Sequence, residues 1–439
     1  MMIKKHIPIL TFCFVLLSGI LHAQEVKTIS KSEVLTKVAA QNLTAKISEQ
    51  EYNQSKADYQ QTNAVFLPNI TASYTGILTN NPLMAFGSKL NQELLTTQDF
   101  DPSRLNNPDR IENFTTKIEI QQPLLNLDGM FQRKAAKTKM NAMQLKSVRT
   151  QEYLQLEATK SYMELQLVYK AVEVLEKALE AAQANLKVAS NSYKNGYLQK
   201  ADLLSVEIRV NEIYNQLLHA KSEIKNASNY VSYIMNEDDS VILQPSDSLF
   251  VSEKVLGNNS FIPEERSDIK AMKLSSEAYN TMYKADKMSF LPRLNAFGSF
   301  ELYDDKLFQA DANGYLVGAQ LSWNILEGTR RFGKAQKSKA EYSKASLEYS
   351  QYLSKSKLEL NKALRMVSDT ENNLELSKLS LKQAKEALRI RTNRFKEGLE
   401  KTADVLTAET TYAQKQLDFY QTVFRYNYAQ AYLQFLTTK

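Results

Sequence analysis

The feature that most constrains this chain is a repeated segment with a glycine near its centre. Residues 395–409 have a counterpart about two hundred residues earlier, at 193–207. In each copy a long helical pattern leads to an aromatic residue, a lysine, one further residue and then glycine. An aspartate six residues after the glycine begins a second helical pattern. The chain is therefore predicted to contain two copies of one helical hairpin, with these segments as the hairpin tips.

Aligning the two tips residue for residue gives identical residues in a common register. The identical pairs are Ala182/Ala384, Leu186/Leu388, Lys194/Lys396, Gly196/Gly398, Ala201/Ala403, Asp202/Asp404, Leu204/Leu406 and Glu207/Glu409. Chance does not explain this agreement, which indicates an internal duplication.

The first residues have the pattern of an export signal. Lys4 and Lys5 give a positive start, residues 7–21 are an apolar core, and a cleavage site follows Ala23. A true N-terminal membrane anchor is the alternative, although the apolar run is short for one. Cys13 lies inside the apolar core, which fits a lipid-modified cysteine badly. The mature chain is thus expected to contain no thiol.

Composition excludes several classes of function. Removal of the signal lowers the formal charge from +6 to +4, which is weak for a nucleic-acid-binding protein of this length. His219 is the only histidine left, so neither a histidine-based metal centre nor a catalytic triad is expected. We predict no enzyme activity, no cofactor and no metal. An exported chain without a long apolar helix is periplasmic, secreted, or inserted in an outer membrane through β-strands.

Each half of the chain has the same order of predicted elements. The first half has a helix at 30–64, strands at 69–79 and 114–121, and a helix at 130–195 of about 66 residues, about 100 Å long. The second half has a helix at 264–290, strands at 294–303 and 315–324, and a long helix that ends at 397. Apolar residues at alternating steps of four and three flank both tips, as in coiled coils. The loop at 80–113 is about 25 residues longer than its counterpart and is expected outside the cell.

The strands are about ten residues long, which is the length that crosses an outer membrane when tilted. Four strands cannot close a barrel, and an open sheet edge cannot lie in lipid. The smallest membrane barrels have eight strands. Two alternatives follow: either several chains together close the barrel, or the strands lie outside the membrane.

In these features the chain resembles the TolC family of outer-membrane efflux proteins, over nearly the whole mature chain. The features that carry the resemblance are the duplicated strand–strand–helix unit, Leu67-Pro68 and Leu291-Pro292, Asp128-Gly129 and Glu327-Gly328, and the tips with Gly196, Asp202, Gly398 and Asp404. We interpret Asp128 and Glu327 as helix starts and not as sites. The predicted fold is mainly α with a small β part.

The resemblance implies a homotrimer in which each chain gives four strands to one twelve-stranded barrel in outer-membrane lipid, while the helices form a tunnel through the periplasm. It implies an exit duct of a tripartite efflux or type I secretion system. Its partners would be a periplasmic adaptor and an inner-membrane pump. On this interpretation residues 1–23 are the signal peptide, 24–236 the first repeat, 237–263 a linker and 264–439 the second repeat.

The resemblance also assigns roles to tip residues. The adaptor contact would comprise Gly196, Tyr197 and Leu198 in the first tip and Gly398, Leu399 and Glu400 in the second. A glycine that only ends a helix is the alternative, and both can hold. Where some members have a basic residue that ties the closed tip together, this chain has Glu400, which puts that latch in doubt.

Asp404 matches the position at which the family places an acidic ring around the closed aperture. Three copies of one carboxylate would repel anions and bind cations. The family often has a second acid one turn later, where this chain has Thr407, so the ring would be weaker. Asp202 is the counterpart in the first tip. The alternative for both aspartates is a helix start, where an acid caps the helix and complements its dipole.

A periplasmic coiled-coil adaptor or scaffold without a channel is the second hypothesis for function. Such adaptors usually carry a single hairpin beside a small barrel domain, whereas this chain has two hairpins with strand pairs between them. An exported enzyme is the third hypothesis, but no constellation of catalytic residues supports it.

Overall fold

A computed structural model describes residues 26–254 and 261–438. The predicted signal peptide at 1–23, including Cys13, lies outside the described residues. The described helices are α1 (Lys31–Gln41), α2 (Leu43–Gln61), α3 (Pro82–Asn91), α4 (Pro102–Asn106), α5 (Leu127–Lys194), α6 (Lys200–Met235), α7 (Ser267–Met288), α8 (Arg330–Lys396) and α9 (Thr402–Thr437). In this part of the chain no helix is both long enough and apolar enough to cross a membrane.

The described strands form two sheets. They are β1 (Val26–Ile29), β2 (Asn69–Thr79), β3 (Ile111–Leu125), β4 (Ile242–Pro245), β5 (Arg293–Asp304) and β6 (Ala312–Ser322). β1 pairs in parallel with β4, and the other strands form an antiparallel sheet in the order β2-β3-β5-β6. A mainly helical chain with four antiparallel strands and two long hairpins confirms the predicted fold class.

The chain divides into two compact units that differ from the sequence repeats. The first unit contains the described parts of Met1–Ile47, Thr150–Pro263 and Lys357–Thr438. The second contains Ser48–Arg149 and Glu264–Ser356. Each unit therefore draws on both repeats. The repeat boundaries proposed above remain a prediction.

Coiled-coil packing in the first unit follows the predicted spacing. On α5 and α6, Leu175 and Leu217 are buried together with Val172, and Ala189 is buried with Leu203. These residues lie at the alternating four- and three-residue steps, because that spacing keeps one apolar stripe facing the partner helix. The long hairpin is thus held by a continuous apolar seam.

The helix predicted at 30–64 is interrupted at Asn42, where the backbone has φ −57° and ψ 129°. The Asn42 side-chain oxygen accepts hydrogen bonds from the N–H groups of Thr44 at 2.8 Å and Ala45 at 3.1 Å. Its amide donates to the carbonyl of Ile234 at 2.7 Å, near the end of α6. One buried side chain therefore caps α2 and satisfies a carbonyl that the end of α6 leaves open.

A buried polar network fixes the start of α7 in the second unit. Arg266 is 1% exposed, and its guanidinium donates to Asp268 at 2.6 Å and to the hydroxyl of Ser356 at 3.0 Å. The hydroxyl of Tyr352 donates to Asp268 at 2.6 Å. Burial alone would raise the pKa of the Asp268 carboxyl, but the hydrogen bonds from Arg266 and Tyr352 and the charge of Arg149 outweigh it and hold that pKa below its usual range.

The four-stranded sheet agrees closely with the strands predicted from alternation. β2 covers the predicted residues 69–79, and the other three strands differ from the predictions by a few residues at each end. β3 continues past Pro123 with a bulge between Pro123 and Leu125, so the proline bends the strand without ending it. The loop at 80–113, for which no helix was predicted, contains α3 and α4.

Candidate functional site

One face of the four-stranded sheet is apolar and exposed. Ile120 is opposite Ile70 on one side and Gly298 on the other, and Gly298 is opposite Val317. This face carries Ile70, Ala72, Tyr74, Leu78, Phe114, Ile118, Ile120, Leu294, Ala296, Phe300, Leu302, Tyr315, Val317, Ala319 and Leu321. Val317 is 76% exposed and Ile70 is 61% exposed. An apolar surface that extends across four strands marks a membrane or protein contact.

The opposite face of the sheet is mostly polar, although Ile77, Phe297 and Leu316 also lie on it. The ammonium of Lys117 lies 3.3 Å from the carboxylate of Glu301 on the neighbouring strand and 3.3 Å from that of Glu119. Strands that are apolar on one side and polar on the other are typical of outer-membrane barrels, where the polar side lines the interior.

Both outer strands of this sheet have an open edge. Among the described residues, β2 pairs only with β3, and β6 pairs only with β5. Each outer edge therefore presents a row of backbone N–H and C=O groups without strand partners. Because such groups cannot be left unsatisfied in lipid, this sheet needs further strands before it can lie in a membrane.

Asp128 and Glu327 hold the starts of the long helices. Asp128 is the second residue of α5, and its carboxylate accepts a hydrogen bond from Arg293 Nε at 3.1 Å. Glu327 precedes α8, accepts a hydrogen bond from Asn324 at 2.7 Å and lies 3.5 Å from Arg331. Both acids therefore have the structural surroundings expected of helix starts.

The first hairpin tip turns through Gly196, which has φ 77°. The N–H of Tyr197 donates to the carbonyl of Ser192 at 2.8 Å, and the N–H of Gly196 donates to the carbonyl of Tyr193 at 3.0 Å. This pair of bonds is a Schellman motif, in which the residue after the helix takes a left-handed conformation that glycine adopts without strain.

The second tip repeats this backbone at Gly398, which has φ 72°. The N–H of Leu399 donates to the carbonyl of Arg394 at 2.9 Å, and that of Gly398 donates to the carbonyl of Phe395 at 3.0 Å. The duplication predicted from sequence thus extends to individual hydrogen bonds. The reading of these glycines as helix C-caps is correct for both, and it leaves their role in partner contact open.

Side chains close the two tips in different ways. In the first tip Leu198 is partly buried against Ala189, Leu203 and Val206. Tyr197, the residue just after the glycine, is 85% exposed. The first tip is therefore closed by apolar packing, and it presents one large aromatic side chain to its surroundings.

In the second tip Glu400 occupies the position of Leu198. Its carboxylate accepts hydrogen bonds from Arg391 and from Arg394, each at 2.8 Å. The hydrogen bond from Arg394 lowers the pKa of the Glu400 carboxyl, and the charge of Arg391 acts in the same direction. Leu399, the counterpart of Tyr197, is 66% exposed. An ionic contact within one hairpin thus replaces the apolar closure of the first tip.

Comparison with known proteins gives a match to one family. Residues 262–437 match the family model described as outer membrane efflux protein. The match covers less than half of the chain, and over these residues it confirms the predicted resemblance to TolC-like proteins. No curated protein sequence matches the chain.

Solved structures of outer membrane proteins share the fold of this chain. A CusC structure, described in connection with folding and transmembrane channel formation, is 15% identical, with a TM-score of 0.80 over 93% of this chain and 92% of that chain. The Campylobacter jejuni CmeC outer membrane channel is 15% identical, with a TM-score of 0.81 over 92% of this chain and 85% of that chain. The outer membrane protein VceC from Vibrio cholerae is 16% identical, with a TM-score of 0.79 over 92% and 95%.

The three residues predicted for a channel aperture lie near the tips. Asp404 is the third residue of α9, its side chain is 45% exposed, and its carboxylate lies 3.7 Å from Arg391. Asp202 is the third residue of α6 and is half-buried. Neither aspartate is the N-cap of its helix. Of the two effects expected at a helix start, capping and a favourable interaction with the helix dipole, only the second therefore applies. Thr407 is exposed, and its hydroxyl donates to the carbonyl of Ala403 at 2.8 Å.

Sequence reasoning missed the two arginines that pair with Glu400. The available signal was the run from Arg389 to Arg394, which places three arginines in the last turns before an acidic tip. No role was predicted from the sequence for Glu409. This residue accepts a hydrogen bond from Asn185 and so joins the two hairpins. Burial raises the pKa of the Glu409 carboxyl, although nearby Arg209 and the Asn185 bond oppose that shift.

Replacing Glu400 with Gln should loosen the second tip at neutral pH, because the carboxylate that holds Arg391 and Arg394 is lost. We expect hydrogen exchange of the amides at 399–404 to become about threefold faster or more. Glu397→Gln, an exposed change beside the same tip, is the control and should have no effect. Because the folded-state pKa of Glu400 is lowered, its stabilising contribution is present above the ordinary glutamate pKa of about 4.3 and is lost as pH falls through the lower folded value. Protection that is equal in both variants would contradict this role.

Proposed function

We propose that three copies of this chain close a twelve-stranded barrel in the outer membrane and form the exit duct of a tripartite efflux or type I secretion system. The observation that carries the proposal is the sheet with one exposed apolar face and two open edges. Channels of the TolC family form trimers. Three copies give twelve strands, which is above the minimum of eight for a membrane barrel.

The two faces of the sheet suit the lipid outside such a barrel and the water inside it. The apolar face would contact lipid, and the polar face with Lys117 and Glu301 would line the water-filled interior. Pairing between β6 of one copy and β2 of the next would satisfy the backbone groups at both open edges. The duct conducts passively, and the energy for export comes from an inner-membrane pump.

The tips are proposed to contact the helical hairpin of a periplasmic adaptor. Within the six residues predicted for this contact, the exposed large side chains are Tyr197 and Leu399. Gly196 and Gly398 leave the turn backbone accessible, because a glycine presents no side chain to a partner. Leu198 and Glu400 hold the tips closed, so they support the contact without supplying its surface.

A lysine in the middle of the lipid-facing side should prevent assembly. Val317→Lys places a charge near the centre of β6, where it would cost about 2–4 kcal/mol in the bilayer. We expect a strong loss of trimer in outer-membrane extracts analysed by native mass spectrometry. Gln320→Lys is the matched control, because it adds the same charge to the other face of the same strand and should leave the trimer intact. Equal trimer yields for the two variants would contradict the assignment of the faces.

Replacing Asp404 with Ala should weaken block of the channel by divalent cations, because three copies of this carboxylate would surround the aperture. The measurement is single-channel current in planar bilayers with added magnesium. The replacement of the family's second acid by Thr407 predicts modest block even in the native chain. Block that is unchanged in the variant would remove Asp404 from the aperture.

Replacing Tyr197 and Leu399 with Ser should abolish export while the trimer remains intact, since both side chains are exposed and neither closes its own tip. The measurement is accumulation of an exported dye in cells, with trimer content determined in parallel. Tyr233→Ser, at a residue 74% exposed on α6 and outside the tips, is the control. Normal export by the double variant would show that the adaptor binds elsewhere.

A further inference from the structure

The loop between β2 and β3 folds over the polar face of the sheet. The side-chain amide of Gln92, just after α3, donates to the side-chain oxygen of Asn113 at 2.9 Å. It also donates to the carbonyls of Glu112 at 2.9 Å and Asp304 at 3.0 Å. Asn113 lies on the same face of β3 as Lys117, because side chains on a strand alternate. α3 therefore covers one end of the polar face of the sheet.

The helix α3 has its apolar side turned away from the sheet. Ala85, Ser88 and Gln92 are buried beneath it, and these side chains are small or polar. On the opposite side Leu83 is 81% exposed and Leu90 is 55% exposed. Residues 83 and 90 are seven apart and share one helix face, whereas 85, 88 and 92 lie on the other. A water-facing helix would have the reverse arrangement.

The other, apolar face of the sheet carries a stack of two aromatic rings. The loop after β5 places Phe308 on Tyr74, with ring centroids 4.5 Å apart, and Tyr74 belongs to the apolar face. α3 thus lies on the side that would be enclosed by a barrel. In a closed barrel lipid would not reach that side, so its exposed leucines would be covered only by something inside the barrel mouth.

We propose that the α3 helices of the three copies pack against one another through Leu83 and Leu90 and form an apolar constriction at the outer mouth of the duct. This inference rests on the proposed trimer. The occupant of each exposed face is a second copy of this chain, since copies joined at the open edges of β2 and β6 bring their α3 helices into one enclosed space. An apolar ring of this kind restricts the passage of ions and water by dewetting.

The Schellman-like turn after α3 extends the same face. Glu93 has φ 59°, and the N–H of Leu94 donates to the carbonyl of Lys89 at 3.0 Å. Leu94 is 49% exposed. Gln92 anchors the end of the helix to β3 and β5, so substitutions on the exposed face leave the attachment of the helix to the sheet intact.

The first experiment measures conductance of the full-length trimer in planar bilayers. Leu83→Gln together with Leu90→Gln should raise single-channel conductance about twofold, because a polar ring stays hydrated. Met84→Gln makes the same kind of change beside this face on the same helix and should leave conductance unchanged. Native mass spectrometry of each variant is recorded first. Absence of trimers in the native chain would overturn the proposed function, and unchanged conductance in intact trimers of the double variant would overturn the constriction alone.

The second experiment tests contact between copies by disulfide formation. The one cysteine of the sequence, Cys13, lies in the predicted signal peptide, so Leu90→Cys introduces a single thiol into the mature chain. Oxidation with copper phenanthroline should link two copies into a dimer on a denaturing gel. Asn106→Cys, exposed on α4, is the control and should remain monomeric on the gel. No link through Leu90→Cys in intact trimers would overturn the packing of α3 against α3.

Discussion

Backbone hydrogen bonding at the edges of the sheet is the constraint on which the rest of this structure depends. Within lipid every N–H and C=O group needs a partner, and one chain leaves a row of them open on β2 and on β6. The sheet is therefore an incomplete element that can lie in a membrane only when further strands pair with both of its edges. An exposed apolar face and a polar face suit the same arrangement, because a closed barrel separates lipid from water.

Duplication has preserved the backbone of the hairpin tips more strictly than their side chains. Gly196 and Gly398 could be predicted from the sequence, because a left-handed turn after a long helix favours glycine. The contacts that close each tip could not be predicted, because they depend on which side chains of the preceding helical turns lie near the residue after the turn. Leu198 meets an apolar seam, whereas Glu400 meets two arginines of α8.

Long elements of the fold could be predicted because their periodicity is a local property of the sequence. β2 and the long helices follow the predicted ranges closely. The short strands β1 and β4 were missed, because each has four residues and its partner lies more than two hundred residues away in the chain. The break at Asn42 was also hidden, since its cause is a bond to the distant carbonyl of Ile234. α3 was missed because its ten residues include Pro82, Gly87 and Asn91, which are typical of loops.

The charges on the polar face bear on what a duct of this kind can select. Near the middle of the strands one lysine, Lys117, is shared by two acids, Glu119 and Glu301, which leaves one excess negative charge in this cluster. A paired cluster of this sort produces only a weak field in a wide, water-filled interior, where screening acts over about 8 Å. In the proposed duct the strands would therefore exert little control over the charge of a substrate. Selection by charge would depend on narrower places, such as the proposed aperture at Asp404, where a single carboxylate acts at close range.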